Sequence, residues 1–145
     1  EARMVAYLVE DLLADLPASE IGVITPYTAQ VTAIRSRLQS SCDDAEAVTV
    51  DTIDSFQGGE RTAIVISLVR SNADGDVGFL GRPEDGPRRL NVALTRAKRY
   101  CAVVADWDTL RYDEDGKCTD LYQDFHRHYA ETGRLNDVEP EFIPV

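Results

Sequence analysis

The chain has 145 residues, 26 of them acidic against 15 basic, giving a formal charge of −11. At roughly 100–200 residues per domain this is one domain, long enough to bury a core. A composition 43% hydrophobic and 28% charged excludes wholesale disorder. No apolar run approaches the ~18–20 residues of a membrane span, and no signal-like segment opens the chain, so no membrane partner is expected. Cys42, Cys101 and Cys118 are scattered and lack paired metal-ligand spacing, which fits a reduced, cytoplasmic setting. Lys98 and Lys117 stand against 13 arginines. Taken alone, the net charge argues against a nucleic-acid partner.

In chain order, Val5, Leu8, Val9, Leu12, Leu13 and Leu16 recur at helical spacing and predict an amphipathic helix over Glu1 to Leu16, ended by Pro17. It begins without a capping residue, so the chain is expected to be part of a larger protein. Ile21 to Thr25, bounded by Pro26, reads as a buried strand. A helix follows over Tyr27 to Gln39, then a polar loop from Ser40 to Glu46 and a strand over Ala47 to Val50. Asp51 to Glu60 is a polar, glycine-containing loop, and Ala63 to Val69 is apolar at nearly every position. A glycine- and aspartate-rich loop runs from Ser71 to Gly86. Pro87 then leads into a helix from Arg88 to about Arg99. Tyr100 to Ala105 is another continuous apolar strand. After an aspartate-rich link, Thr119 to Glu131 is a helix stopped by Gly133, and residues from about 133 to 145 form a loose tail.

Strands apolar throughout are buried on both faces, and here they alternate with helices. The expected fold is therefore α/β, a mainly parallel sheet with helices on both sides. Ligands in such sheets gather at the carboxyl ends of strands. Several motifs are absent: no G-x-x-x-x-G-K-[ST] phosphate loop surrounds Gly116-Lys117, and there is no G-x-G-x-x-G. Asp106 closes an apolar strand as a magnesium-binding aspartate would, but without a phosphate loop the plainer reading is a strand followed by a turn. His126 and His128 lie two apart on a helix and point to different faces, against a metal site. Asp113-x-Asp115-Gly116 has its glycine too early for a calcium loop and reads as a solvated turn.

Two segments carry more. The loop Thr52-Ile-Asp-Ser-Phe-Gln-Gly-Gly-Glu60 combines hydroxyl, carboxylate and amide groups with two glycines that permit close backbone approach. By itself it is as consistent with a structural turn as with a binding loop. In Arg88 to Arg99, Leu90, Ala93, Leu94 and Ala97 form an apolar face, while Arg89, Arg96 and Lys98 need not share one surface. A charge-laced solvated helix is the alternative. Even so, residues 82–100 hold six basic and two acidic side chains, an island of +4 in a remainder of −15.

With these motifs in view, Ile21-Gly-Val-Ile-Thr-Pro-Tyr-Thr-Ala-Gln30, the Thr52–Glu60 loop, Val69-Arg-Ser-Asn72, Val77-Gly-Phe-Leu80 and Arg88–Lys98 occur in an order that resembles a known family. It is the second RecA-like domain of superfamily 1 helicases, of the nonsense-mediated-decay and Okazaki-fragment-processing types. The match runs from about residue 1 to 106, and its F-Q-G-x-E and R-R-L-N-V-A-L-T-R-A strings are long and specific.

The resemblance implies a RecA-like P-loop NTPase fold and an ATP-dependent helicase or translocase. ATP would bind between two such domains, with the phosphate loop and the Mg2+ ligands on the first domain, a partner on the same parent chain. Arg96 matches the arginine that reaches the γ-phosphate, a task suited to a permanently charged, bidentate guanidinium. Glu60 matches the glutamate that hydrogen-bonds the ribose, with Gln57 and Gly58 beside the nucleotide. Thr25, Tyr27, Thr52, Asp54 and Ser55 match positions that contact single-stranded DNA or RNA, and Arg70 and Asn72 extend that track. Such contacts go to phosphate and sugar and tolerate sequence. Thr62 stands where an acidic residue is usual and Gly59 where a basic one is common, and the loop Gly81–Pro87 is a few residues longer than usual. The rival reading is a non-catalytic nucleic-acid-binding module derived from a helicase, against which Gln57, Glu60 and Arg96 speak.

The acidic, lysine-poor composition resembles proteins of salt-loving microbes. At molar salt the screening length is about 3 Å, so both surface repulsion and long-range attraction to phosphates weaken. The charge of −11 then speaks to the solvent and the basic island to the ligand.

Overall fold

The computed structural model describes residues 1–56, 59–111 and 119–136. Gln57, Gly58, the Asp113–Gly116 turn, Lys117, Cys118 and most of the expected tail lie outside the described residues. Four strands, β1 (Ile21–Thr25), β2 (Thr49–Thr52), β3 (Arg61–Ser67) and β4 (Ala97–Val104), form one sheet in the order β2-β1-β3-β4. Every pairing is parallel, with Val23 opposite Val50 on one side and Val65 on the other. All five residues of β1 and the last five of β3 are buried, which is why both read as unbroken apolar runs.

Alternation along these strands builds two cores. Ile21, Val23, Val50 and Val65 pack against Val5 and Val9 of α1 (Ala2–Leu13) and Val31, Ile34 and Leu38 of α2 (Thr28–Ser41). Ile24, Ile64 and Ile66 face the opposite way, onto Leu90 and Ala93 of α3 (Gly86–Leu94), Leu110 of α4 (Trp107–Arg111) and Tyr122 of α5 (Thr119–Glu131). Helices therefore flank both faces, as expected. Each fully buried aliphatic side chain contributes about 1.5–3 kcal/mol.

Several boundaries differ from the sequence reading. The second helix runs on to Ser41, and a 3-10 turn (Ala45–Ala47) occupies the expected polar loop. β2 lies two residues later than expected, and β3 starts at Arg61 and ends at Ser67. The basic helix changes most: α3 stops at Leu94, and Ala97 to Arg99 belong to β4. Thr95 closes the helix by donating its hydroxyl to the Val92 carbonyl (3.0 Å). The Arg61 amide then donates to the Arg96 carbonyl (3.0 Å), so pairing with β3 captures residues that local helical preference would retain. β4, expected to be buried on both faces, lies at the sheet edge among the described residues and is exposed from Lys98 to Cys101. The aspartate-rich link contains α4, and α5 and its Gly133 stop (φ +67°) lie as expected.

The connection from β2 to β3 is short and crosses β1. Its first turn is tied by the Ile53 amide to the Thr25 carbonyl (3.0 Å) and by the Phe56 amide to the Thr52 carbonyl (2.8 Å). Phe56 then lies over Gly22, with the Arg61 guanidinium carbon 5.8 Å from its ring centroid. A Cβ at Gly22 would stand 2.8 Å from Ile64 Cδ1 and 2.9 Å from Phe56 Cζ. Glycine is what allows the crossover to lie flat on the sheet.

Candidate functional site

Two clefts gather the polar residues singled out in the sequence. The first, about 400 Å³, lies between the β2–β3 crossover and α3 and is lined by Ile53, Asp54, Phe56, Asp85, Arg88, Arg89, Val92 and Arg96. α3 places Arg88 and Arg89 in its first turns because Pro87 starts the helix there. The turn between α3 and β4 places Arg96. That side chain is half-buried, and its Nε is buried with no hydrogen-bond partner among the described residues. A buried donor without a partner is costly; Arg61 Nε shares that state among the described residues, so what distinguishes Arg96 is its place in this cleft. Arg89 donates from Nε to Asp54 Oδ1 (3.1 Å) and lies 3.5 Å from Asp85 Oδ2 through Nη1. The hydrogen bond from Arg89 to Asp54 raises its pKa further. Three guanidiniums thus face two carboxylates, leaving an excess of positive charge and forked donors suited to phosphate.

Glu60 is exposed at the end of the crossover, and its carbonyl accepts from Arg61 Nη1 (3.1 Å). Gln57 and Gly58, between Phe56 and Gly59, are outside the described residues. Lys98, on exposed β4, does not line this cleft.

The second cleft, about 390 Å³, opens at the carboxyl ends of β1 and β3 and is lined by Tyr27, Val69, Arg70, Ser71, Asn72, Asp74 and Asp76. Arg70 Nε donates to the Tyr27 hydroxyl (2.8 Å), its guanidinium carbon lies 5.3 Å from the Tyr27 ring centroid, and Nη1 pairs with Asp76 Oδ2 (3.1 Å). Val69 has φ +74°, and the Arg70 amide donates to the Leu68 carbonyl (2.9 Å). This is a γ-turn of the strained hand on a β-branched residue. Asn72 Oδ1 accepts from the Asp76 amide (2.8 Å), and its Nδ2 donates to the Asp76 carbonyl (2.9 Å).

The residues matched to nucleic-acid contact are therefore divided. Tyr27, Arg70 and Asn72 share the second cleft, while Asp54 stands on the wall of the Arg96 cleft. Thr25 is buried between them, its Oγ1 without a partner among the described residues. Thr52 Oγ1 accepts from the Ser55 amide (3.2 Å), so Thr52 and Ser55 shape the crossover turn. The Arg89–Asp54 and Asp76–Arg70 pairs were not foreseen, because the partners of the first lie 35 residues apart and Asp76 reads simply as loop.

Asp106 caps α4, where the plainer reading has a turn after the strand. Its carboxylate accepts from the Asp108 and Thr109 amides (3.1 and 3.2 Å), the Ser71 hydroxyl (2.6 Å) and the Thr109 hydroxyl (3.1 Å). Partial burial works to raise its pKa, but these hydrogen bonds outweigh it and hold the carboxyl below its usual value. His126 packs edge-on to Trp107 and His128 to Tyr129. Among the described residues, no group of three or more His, Cys, Asp and Glu side chains could hold a metal ion. Among them too, no helix is long and apolar enough to cross a membrane.

A parallel sheet with helices on both faces and polar clefts at its loops is a doubly wound α/β domain. A family model described as an AAA domain matches residues 1–108, and the chain belongs to that family, as a second RecA-like domain of the superfamily 1 helicase type. It is 45% identical over 113 residues to the "DNA polymerase alpha-associated DNA helicase A" of Schizosaccharomyces pombe, covering 77% of this chain and 16% of that protein. It is 41% identical over 111 residues to the "DNA-binding protein SMUBP-2" of Rattus norvegicus, covering 76% and 10%. With the "DNA replication ATP-dependent helicase/nuclease DNA2" of Xenopus laevis it shares 37% identity over 141 residues, covering 89% and 13%. The chain thus spans a sixth or less of the length of these relatives.

Proposed function

We propose that this chain is the second motor domain of an ATP-dependent superfamily 1 helicase or translocase acting on single-stranded nucleic acid. One observation carries the reading: Arg96 lines a cleft together with Arg88 and Arg89, where three guanidiniums outnumber the carboxylates of Asp54 and Asp85. A nucleotide polyphosphate would supply the anionic oxygens that balance the surplus positive charge. The first RecA-like domain would present the γ-phosphate from across the interdomain cleft, and Arg96 would donate to its oxygens and offset the negative charge of the transferred phosphoryl. In other NTPases such a finger contributes ~10³–10⁵ in rate. Mg2+, expected on that first domain, would supply further positive charge to the polyphosphate.

Arg88 and Arg89 hold the field of the cleft positive, and Arg89 fixes the crossover through Asp54. Glu60, with Gln57 and Gly58, is assigned to the ribose side by family resemblance. Tyr27, Arg70 and Asn72 form the nucleic-acid track, with Thr25, Thr52, Asp54 and Ser55 shaping the turns beneath and beside it. Opening and closing of the interdomain cleft would then move these contacts along the strand. The isolated chain, lacking a phosphate loop among its 145 residues, is half of the catalytic unit.

The names of the relatives make DNA the first substrate to test. The experiment is ATP turnover by the full-length protein with and without single strands, together with unwinding of tailed DNA and RNA duplexes. Strand-stimulated turnover is expected; a full-length protein that binds strands without hydrolysing ATP would favour the non-catalytic binding module instead.

A further inference from the structure

We propose that Asp76 is a resident competitor for the strand phosphate on Arg70, so that a phosphodiester must displace this carboxylate to reach the guanidinium Nη1. This inference rests on the reading of that cleft as part of the nucleic-acid track.

Arg70 is held in place without Asp76. Its Nε is bonded to the Tyr27 hydroxyl at 2.8 Å, and its plane lies 5.3 Å from the Tyr27 ring centroid. Gly78, at φ +62°, leaves room for the guanidinium, because a Cβ there would collide with its Nη2, Cζ and Nε atoms. Val69, just before it, is kept in the strained γ-turn. Strain of this kind persists only where the surroundings over-determine it, and it concentrates at functional positions. The local fold therefore fixes the guanidinium whether or not an anion sits on Nη1.

Asp76 is delivered to it just as deliberately. Asn72 clasps its backbone on both sides, and its Oδ1 accepts from the Gly78 amide (2.8 Å), which leaves Oδ2 on Arg70 Nη1 at 3.1 Å. The carboxylate of Asp76 and a phosphodiester would each offer an anionic oxygen to Nη1. They cannot occupy one donor edge together. The pair is also easily broken: the Asp76 side chain is 64% exposed against 31% for Arg70. An exposed ion pair shifts an equilibrium by at most about fivefold.

The test is the affinity of the chain for a fluorescein-labelled oligodeoxythymidylate, read by anisotropy at low ionic strength. Asp76→Asn keeps the acceptor for the Gly78 amide and removes the charge, and should tighten binding by about two- to fivefold. Asp76→Ser should give the same gain. In an Arg70→Ala background the gain should vanish, and Asp74→Asn, which removes a charge from the same cleft, should give less. Weaker or unchanged binding in Asp76→Asn, an equal gain from Asp74→Asn, or a gain that survives loss of Arg70 would each overturn the competitor role. The track reading fails by a different result: Arg70→Ala and Tyr27→Ala variants that bind like the unaltered chain, or no binding by any of them.

Discussion

Gly22→Ala tests the crossover that carries the site. The added Cβ would stand 2.8 Å from Ile64 Cδ1, 2.9 Å from Phe56 Cζ and 3.2 Å from Arg61 Cγ. Ordinary carbon contacts lie at about 3.5–4.0 Å, so the neighbours must retreat by roughly 0.6–1 Å. Ile64 and Phe56 are 0% and 5% exposed and have little free volume to enter. Overpacking of this kind costs about 1–3 kcal/mol. The loss of unfolded-chain freedom on replacing glycine offsets about 0.4–1 kcal/mol of that. A net destabilisation of up to about 2.5 kcal/mol remains, centred on ~1 kcal/mol. Urea unfolding followed by the fluorescence of Trp107, the single tryptophan, should show a lower midpoint with an unchanged slope. Phe56→Leu in the Gly22→Ala background should recover part of the loss, because the two changes share one contact. A midpoint equal to or above that of the unaltered chain, or strictly additive effects, would refute the close packing of crossover on sheet.

Asp106→Ala removes the cap of α4 and the tie to Ser71, and should cost about 1–2 kcal/mol in the same unfolding assay. Because the folded pKa of Asp106 is depressed, its contribution is present above the unfolded value and lost as pH falls below ~3.9, so the variant should lose less stability than the unaltered chain on acidification. The excess of 26 acidic over 15 basic residues predicts a Tm that climbs from low to molar KCl as self-repulsion is screened; a flat profile in differential scanning fluorimetry would contradict that.

Much of the architecture was readable because burial on both faces leaves an unbroken apolar run. β1 and β3 are legible from Ile21-Gly-Val-Ile-Thr25 and Ala63-Ile-Val-Ile-Ser67 for this reason. The end of α3 was not legible, since Thr95-Arg-Ala-Lys-Arg99 continues an acceptable helical pattern. The bond from the Arg61 amide to the Arg96 carbonyl, a contact from a distant strand, decides it. β4 misled in the opposite direction: its composition is that of a buried strand, but it has one neighbour among the described residues. At the site, the Arg96 string and the Tyr27 and Arg70 motifs were legible as chemistry. Their division into two clefts was not, because Asp54 is drawn to one side by Arg89, a partner 35 residues away. α4 left a faint trace, the capping pattern of Asp106 three residues before Thr109, too short for periodicity to reveal.

The central claim is that Arg96 acts on a nucleotide held by another domain, and the most direct measurement is ATP turnover by the full-length protein carrying Arg96→Ala, with strand binding followed in parallel. Turnover should fall by on the order of 10³ or more while single-strand affinity stays within a few-fold. Undiminished turnover, or equal losses of turnover and strand binding, would contradict the assignment.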